Sequence, residues 1–171
     1  MKVDNTSLDG VKLITPDTMF EDYRGTYTEI YNRVDYQYNP NLPNIGFVSD
    51  DVSVSRMGVL RGIHGDDKTW KLVSCLYGVF YLVVLNYDEE SKQYGEWEGF
   101  TLSDRNRRQV LIPPRFGNGH LVMTDVAVFH YKQSKHYDRE SQFTVKWDDD
   151  RFNIFWPMIP NILSSRDSPV W

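Results

Sequence analysis

The amino-acid sequence predicts an all-β domain, a sandwich or small barrel, on three observations. Apolar and β-branched residues alternate with polar ones at period two, as in Val52-Ser53-Val54-Ser55. Turn-forming clusters such as Tyr77-Gly78 and Asp88-Glu89-Glu90-Ser91-Lys92 separate the alternating stretches at short intervals. Helical patterning is confined to two short pieces, Asp17 to Tyr23 and the stretch after Ile159-Pro160.

The expected strands begin with Val11 to Thr15, Gly25 to Tyr31 and Ile45 to Arg56, all rich in Thr, Tyr, Val and Ile. Gly58 to His64 and Trp70 to Tyr77 flank a polar, turn-prone segment, Gly65-Asp66-Asp67-Lys68-Thr69. Val79 to Tyr87 follows the Tyr77-Gly78 turn, and Gly95 to Leu102 returns from the charged loop. Arg108 to Ile112 runs into Pro113-Pro114, which has no N–H for a ladder and so ends or edges a strand. Leu121 to Met123, Val126 to Gln133 and Gln142 to Trp147 complete the set. With no internal repeat, low-complexity run or linker, residues 1–171 are read as one domain.

Composition bounds the function. A chain of 171 residues is long enough to close a core, and 40% hydrophobic with 25% charged residues is a soluble, globular profile. The net charge of −5 argues against general nucleic-acid binding, which needs a basic face, but leaves room for a small phosphate ligand. Cys75 is the only cysteine, so neither an intrachain disulfide nor a thiolate metal site is expected. The start Met1-Lys2-Val3-Asp4-Asn5 lacks the apolar centre of a signal peptide, and no apolar run is long enough to span a bilayer. A cytoplasmic protein with no membrane partner is the expectation.

Gly58-Val59-Leu60-Arg61-Gly62-Ile63-His64, followed by Trp70-Lys71-Leu72-Val73, carries the chemistry. It places an imidazole, an arginine and a lysine near the ends of two successive strands. A base in the company of two cations suits removal of a carbon-bound proton next to a carbonyl, in a substrate that carries negative charge. Strict alternation puts Arg61 and His64 on opposite strand faces; a bulge at Gly62 would bring both inward. His120, His130 and His136 form no His-x-His pair, so no metal is expected.

These residues resemble the dTDP-4-dehydrorhamnose 3,5-epimerase family. So do Arg24-Gly25 with Glu29, Gly95-Glu96-Trp97, Leu102-Ser103, Arg108-Gln109, Ile112-Pro113, Tyr131-Lys132, Trp147-Asp148-Asp149, Trp156-Pro157 and Leu163-Ser164-Ser165-Arg166-Asp167. The set runs in order from about Val11 to Asp167. The resemblance implies a cupin-type jelly-roll barrel, usually a homodimer, acting without metal or organic cofactor on a nucleotide-linked 4-keto-6-deoxy sugar. It implies His64 as base, Asp167 as the carboxylate that orients it, Lys71 as the cation beside the developing enolate oxygen, and Tyr131 as the acid on the opposite ring face. Arg61, Arg24 and Arg166 become candidates for the pyrophosphate. The early strand with Arg24 and Glu29 often crosses to the partner subunit in this family.

Each residue has a plainer role to set beside this one. Lys71 is also a strand lysine with a packed stem. Tyr131 shares a strand face with Ala127 and Phe129 and so also reads as core. Asp167 also reads as the cap of a surface helix, and Arg24 as a surface charge. Two departures bear on the substrate. Where the family usually has Phe-Ala-His-Gly-Phe, this chain has Phe116-Gly117-Asn118-Gly119-His120, so Asn118 replaces a histidine that commonly lines the sugar pocket. Around Ser49, Asp50 and Asp51 the usual amide residues that meet the nucleotide are absent. Both departures resemble the branch acting on GDP-linked 6-deoxy-4-keto-heptoses for capsule. A sugar-nucleotide 3,4-ketoisomerase and a non-catalytic cupin that only binds a sugar are the alternatives.

Overall fold

The computed structural model describes residues 1–168 and is built almost entirely of strands; in β-strand Ser49–Arg56 the alternation is inverted, with Val52 and Val54 exposed and Ser55 buried. Its strands are β1 (Lys2–Asn5), β2 (Lys12–Thr15), β3 (Met19–Asp22), β4 (Gly25–Thr28), β5 (Ser49–Arg56), β6 (Leu60–Gly65) and β7 (Lys71–Tyr77). They continue as β8 (Val79–Asn86), β9 (Trp97–Ser103), β10 (Gln109–Ile112), β11 (Phe116–Val122), β12 (Val126–Gln133) and β13 (Phe143–Thr144). A six-stranded sheet, in the order β1-β2-β10-β7-β12-β5, faces a five-stranded sheet ordered β13-β6-β11-β8-β9. The pairing inside both is antiparallel. This is the all-β sandwich that the sequence predicts.

The core between the sheets comes from alternate positions of both. Val73 and Cys75 of β7, Val110 and Ile112 of β10, and Ala127 and Phe129 of β12 meet Phe80, Leu82 and Val84 of β8, with Phe100 and Leu102 of β9. The opposite face of β8 is apolar too, because Val83 and Leu85 are covered by Trp97, Phe143, Phe152 and Trp156. Covered on both faces, β8 reads as an unbroken apolar run rather than an alternating one. Gly78, at φ +74°, lets the chain leave β7 in one sheet and enter β8 in the other.

Two local expectations fail, and two elements form where none was expected. Asp17 to Tyr23, expected as helical, contains β3, which pairs with β4 in an exposed two-stranded hairpin. The described part of the stretch after Ile159-Pro160, to Ser168, holds turns and one parallel bridge, Ile162 to Val59, and no helix. The single helix among the described residues, α1 (Arg33–Gln37), lies where none was expected. It is capped by Asn32, whose side chain accepts from the Val34 amide, and it buries Tyr36 against the outer face of the six-stranded sheet. Five residues are too few for an amphipathic period to show. β1 was likewise not expected. No helix among the described residues is long and apolar enough to cross a membrane.

Candidate active site

One end of the space between the sheets stays open as a cavity of about 420 Å³. The inward face of β7 carries Val73 and Cys75 in the core, and one step further toward the strand end the same face carries Lys71. β12 repeats the pattern, with Phe129 in the core and Tyr131 then Gln133 at the cavity. Lys71 and Tyr131 are therefore not solvated strand residues. They are the polar ends of core-facing rows.

β6 supplies Arg61 and His64 from the opposite sheet. Strict alternation would separate them, and the register removes the conflict. His64 is the Cα partner of Asn118 and Arg61 that of His120, so three steps on β6 match two on β11. That bulge turns both side chains into the cavity. Gly62, at φ +113°, makes it possible, since a Cβ there would sit 2.5 Å from Gly119 Cα and 2.6 Å from the Asn118 carbonyl oxygen. The open question left by the sequence is settled in favour of the inward pair.

Asp167 reaches His64 across 103 residues of chain. The Ile162–Val59 bridge and the Asn161 N–H, which donates to the Gly58 carbonyl at 3.1 Å, pin the C-terminal segment beside β6. His64 Nε2 then lies 2.6 Å from Asp167 Oδ1, and Ser164 Oγ donates to Asp167 Oδ2 at 2.7 Å. Burial alone would raise the Asp167 carboxyl, but the hydrogen bonds from His64 and Ser164 hold it below its ordinary value. Ionised, it can only accept, so Nε2 carries the proton and the basic lone pair of His64 is on Nδ1. Asp167 is not the cap of a surface helix.

Lys71 is 7% exposed, and its Nζ donates to Asn118 Oδ1 at 3.2 Å and to the His64 carbonyl at 3.4 Å. Burial pushes it down to about 8; the like charge of Arg166 adds to this and the carboxylate of Asp66 opposes it. On the same wall as Lys71, burial with the Asp51 carboxylate and Tyr137 nearby pushes the Tyr131 phenol up to about 12. Tyr131 is thus a neutral O–H at any working pH, and that hydroxyl has no hydrogen-bond partner among the described residues. Arg61 donates from Nε to Ser55 Oγ at 3.1 Å, and Arg166 from Nε to Thr144 Oγ1 at 2.9 Å. Neither makes an ion pair among the described residues, which leaves their remaining N–H groups for an anion.

Two expected residues lie elsewhere. Arg24 sits at the tip of the β3–β4 hairpin, fully paired with Asp22, with Nη2 to Oδ2 at 2.6 Å. Glu29 is exposed and accepts from Asn32 Nδ2 at 3.3 Å. Neither lines the cavity of its own chain. The sequence reading also missed His120, Ser53, Asp51 and Ser164, which do line it. Spacing offered a signal for two of them: His120 is two residues from Asn118 on one strand face, and Ser53 is two from Ser55.

The antiparallel two-sheet frame places a carboxylate-paired imidazole on one wall of the cavity and a neutral phenol and a cation on the other, groups with the chemistry to take and give protons. The family model described as dTDP-4-dehydrorhamnose 3,5-epimerase matches residues 5–170. The chain is 36% identical over 175 residues to the dTDP-4-dehydrorhamnose 3,5-epimerase of Escherichia coli, covering 100% of this chain and 94% of that protein. It is similar to the solved epimerase of that name from Elizabethkingia anophelis, at 37% identity and a TM-score of 0.87, covering 98% and 93% of the two chains. It is similar also to a dTDP-6-deoxy-D-glucose-3,5-epimerase from Legionella pneumophila in complex with dTDP-4-keto-L-rhamnose, at 34% identity and a TM-score of 0.91, covering 97% and 89%. The chain belongs to the dTDP-4-dehydrorhamnose 3,5-epimerase family. None of these relatives is named for a GDP-linked or heptose substrate, so the narrower branch suggested by Asn118 and by Ser49 to Asp51 has no support from them.

Asp167→Ala leaves His64 in place but frees its ring to rotate; if His64 acts as a base, turnover depends on that orientation. The expected result is a loss of up to about a hundredfold in turnover, the scale set by misplacing a reacting group by an ångström. Steady-state kinetics on the folded variant check this, and an unchanged rate would make the carboxylate a structural tie only.

Proposed function

We propose that this chain inverts C3 and C5 of a nucleotide-diphosphate 4-keto-6-deoxy sugar, with the dTDP-linked hexose as first candidate. The observation that supports this reading is an imidazole and a phenol on opposite walls of one cavity, His64 from β6 and Tyr131 from β12. Inversion needs both faces of the ring to be served, and a lone histidine serves one.

In this reading the C4 carbonyl acidifies the hydrogens on C3 and C5. His64 Nδ1 removes one, and the negative charge moves to the C4 oxygen. Lys71, protonated at neutral pH and held in a site largely shut from water, stabilises that enolate. Tyr131 returns a proton to carbon from the other face, with its ring packed against Phe129. Arg61 and Arg166 receive the pyrophosphate. The enzyme needs no cofactor in this scheme, because every proton is taken or given by a side chain. Arg24 and Glu29 would serve a partner's cavity through exchange of the β3–β4 hairpin in a homodimer. Its exposed Phe20, Tyr23 and Tyr27 support this, since apolar rings in water are unfavourable. Light scattering should then report twice the chain mass of 20.1 kDa.

The deciding experiment is incubation with dTDP- and GDP-linked 4-keto-6-deoxy sugars in deuterated water, followed by NMR. Deuterium at C3 and C5 with the carbonyl still at C4 supports the epimerase. Movement of the carbonyl to C3 would make the chain a ketoisomerase, and no uptake from either nucleotide series would make it a binder. Exchange only in the GDP series would favour the second reading of the substrate, which rests on Asn118.

The pH profile follows from Lys71. Its charged form is needed at the enolate, and with its proton leaving near pH 8 the rate should fall about tenfold per unit above that value. Tyr131 titrates far higher and cannot cause this limb. A rate that stays flat to about pH 9.5 would remove Lys71 from the enolate.

A further inference from the structure

His120 is used by no step above, yet it lines the cavity and is only 3% exposed. Its ring is stacked on Phe129, with centroids 4.1 Å apart and planes 8° from parallel, and Phe80 lies 5.2 Å away. Apolar packing therefore sets its orientation, and its Nε2 is buried with no hydrogen-bond partner among the described residues. Ser53, whose Cα partner on β12 is that same Phe129, also lines the cavity, and its Oγ is likewise buried and unpartnered. Two orphan polar atoms thus adjoin one aromatic ring, from opposite sheets. Buried groups of this kind are unfavourable unless water or a ligand satisfies them.

The neighbouring position on the strand is already engaged: Asn118 Oδ1 accepts from Lys71 Nζ at 3.2 Å, whereas His120 Nε2 has no partner among the described residues. Positions 118 and 120 share a strand face, so the imidazole stands about 7 Å further along the same wall. Resting on the functional reading above, we propose that His120, with Ser53, hydrogen-bonds hydroxyl groups of the sugar ring and so determines which sugar the enzyme accepts.

A hydroxyl is the matching chemistry. A neutral imidazole offers one N–H donor and one lone pair, the same pair of roles that a hydroxyl presents. Burial keeps His120 neutral, pushing it down to about 3, with Arg61 and His64 adding to the shift and Asp167 opposing it. A phosphate only accepts, and Arg61 and Arg166 serve it better. Arg61 is the Cα partner of His120, and the His64–Asp167 pair is close enough to act on its charge, so the contact falls beside the reacting carbons.

The test separates the sugar from the nucleotide. Calorimetric titrations of dTDP and of dTDP-glucose, which has no ketone to react, are run on the wild type, His120→Phe and Ser53→Ala, with GDP and GDP-mannose in parallel. Phe keeps the stack on Phe129 and deletes both nitrogens. The expected result is that His120→Phe loses about tenfold in affinity for the nucleotide sugar and nothing for the nucleotide alone, with a smaller selective loss in Ser53→Ala. Turnover should show the same loss in KM with kcat retained. Equal losses for nucleotide and nucleotide sugar would make His120 a structural residue and overturn the inference. So would unchanged binding of both, or a wild type that binds the sugar conjugate no better than the nucleotide. If His120→Phe fails to fold, Ser53→Ala alone decides by the same comparison. Wild-type turnover tests the function separately, so an active epimerase whose variants keep their sugar affinity loses this inference and nothing else.

Discussion

His64→Asn is expected to lower epimerisation by a factor on the order of a hundred to ten thousand, the range that loss of a positioned general base produces. The amide is shorter than the imidazole and ends near the position of Nδ1, so it gives up the 2.6 Å contact from Nε2, while Asp167 keeps the Ser164 hydroxyl at 2.7 Å and the fold should survive. What disappears is the lone pair of Nδ1. Solvent deuterium uptake at C3 and C5 should fall with the epimerisation rate, since both need the same proton removal. The melting temperature should move little, because His64 is only half-buried and the packing of Ile63 beside it is untouched. A folded variant that exchanges at the wild-type rate would falsify the assignment of His64 as base.

Tyr131→Phe should separate two events that the wild type couples. Phe retains the ring contact with Phe129, whose centroid is 5.3 Å away, and deletes only the hydroxyl. On the roles proposed above, proton removal by His64 should be unaffected and the enolate should still form. With no donor on the opposite face, it is reprotonated from the His64 side with retention. The variant should exchange deuterium much faster than it makes epimer, with inversion down by a factor on the order of a hundred or more. NMR in deuterated water measures both rates in one sample. Epimer formation at the wild-type rate would pass the acid role to another group or to water and return Tyr131 to the core.

These two residues show how legibility differs within one site. His64 and Lys71 could be read because they lie near each other along the chain, at the ends of adjacent strands bounded by a polar turn. Tyr131 was readable only as a face: period two placed it with Ala127 and Phe129, and nothing local said that the row ends at a cavity. Arg24 and Glu29 were readable as positions and not as contacts, because a hairpin that lies outside both main sheets has no neighbours in its own chain to fix its role. β3 was misread for a related reason, since four exposed residues carry no burial pattern of either period.

By itself, then, the succession of short β-branched and aromatic stretches between turn signals determined the all-β frame, but not which face of each strand is buried: β5 turns Val52 and Val54 outward and Ser55 inward. The turn at Gly78 and the stop at Pro113-Pro114 followed from backbone restrictions that belong to single residues. Tertiary structure decided the rest. The His64–Asp167 contact depends on a bridge that lays the C-terminal segment against Val59, and no local pattern encodes a contact across 103 residues. The bulge that turns Arg61 inward depends on how closely β11 approaches Gly62. The depressed Lys71 and the neutral His120 exist only because the closed sandwich removes water around them, and desolvation is a property of the assembled fold rather than of any residue in it.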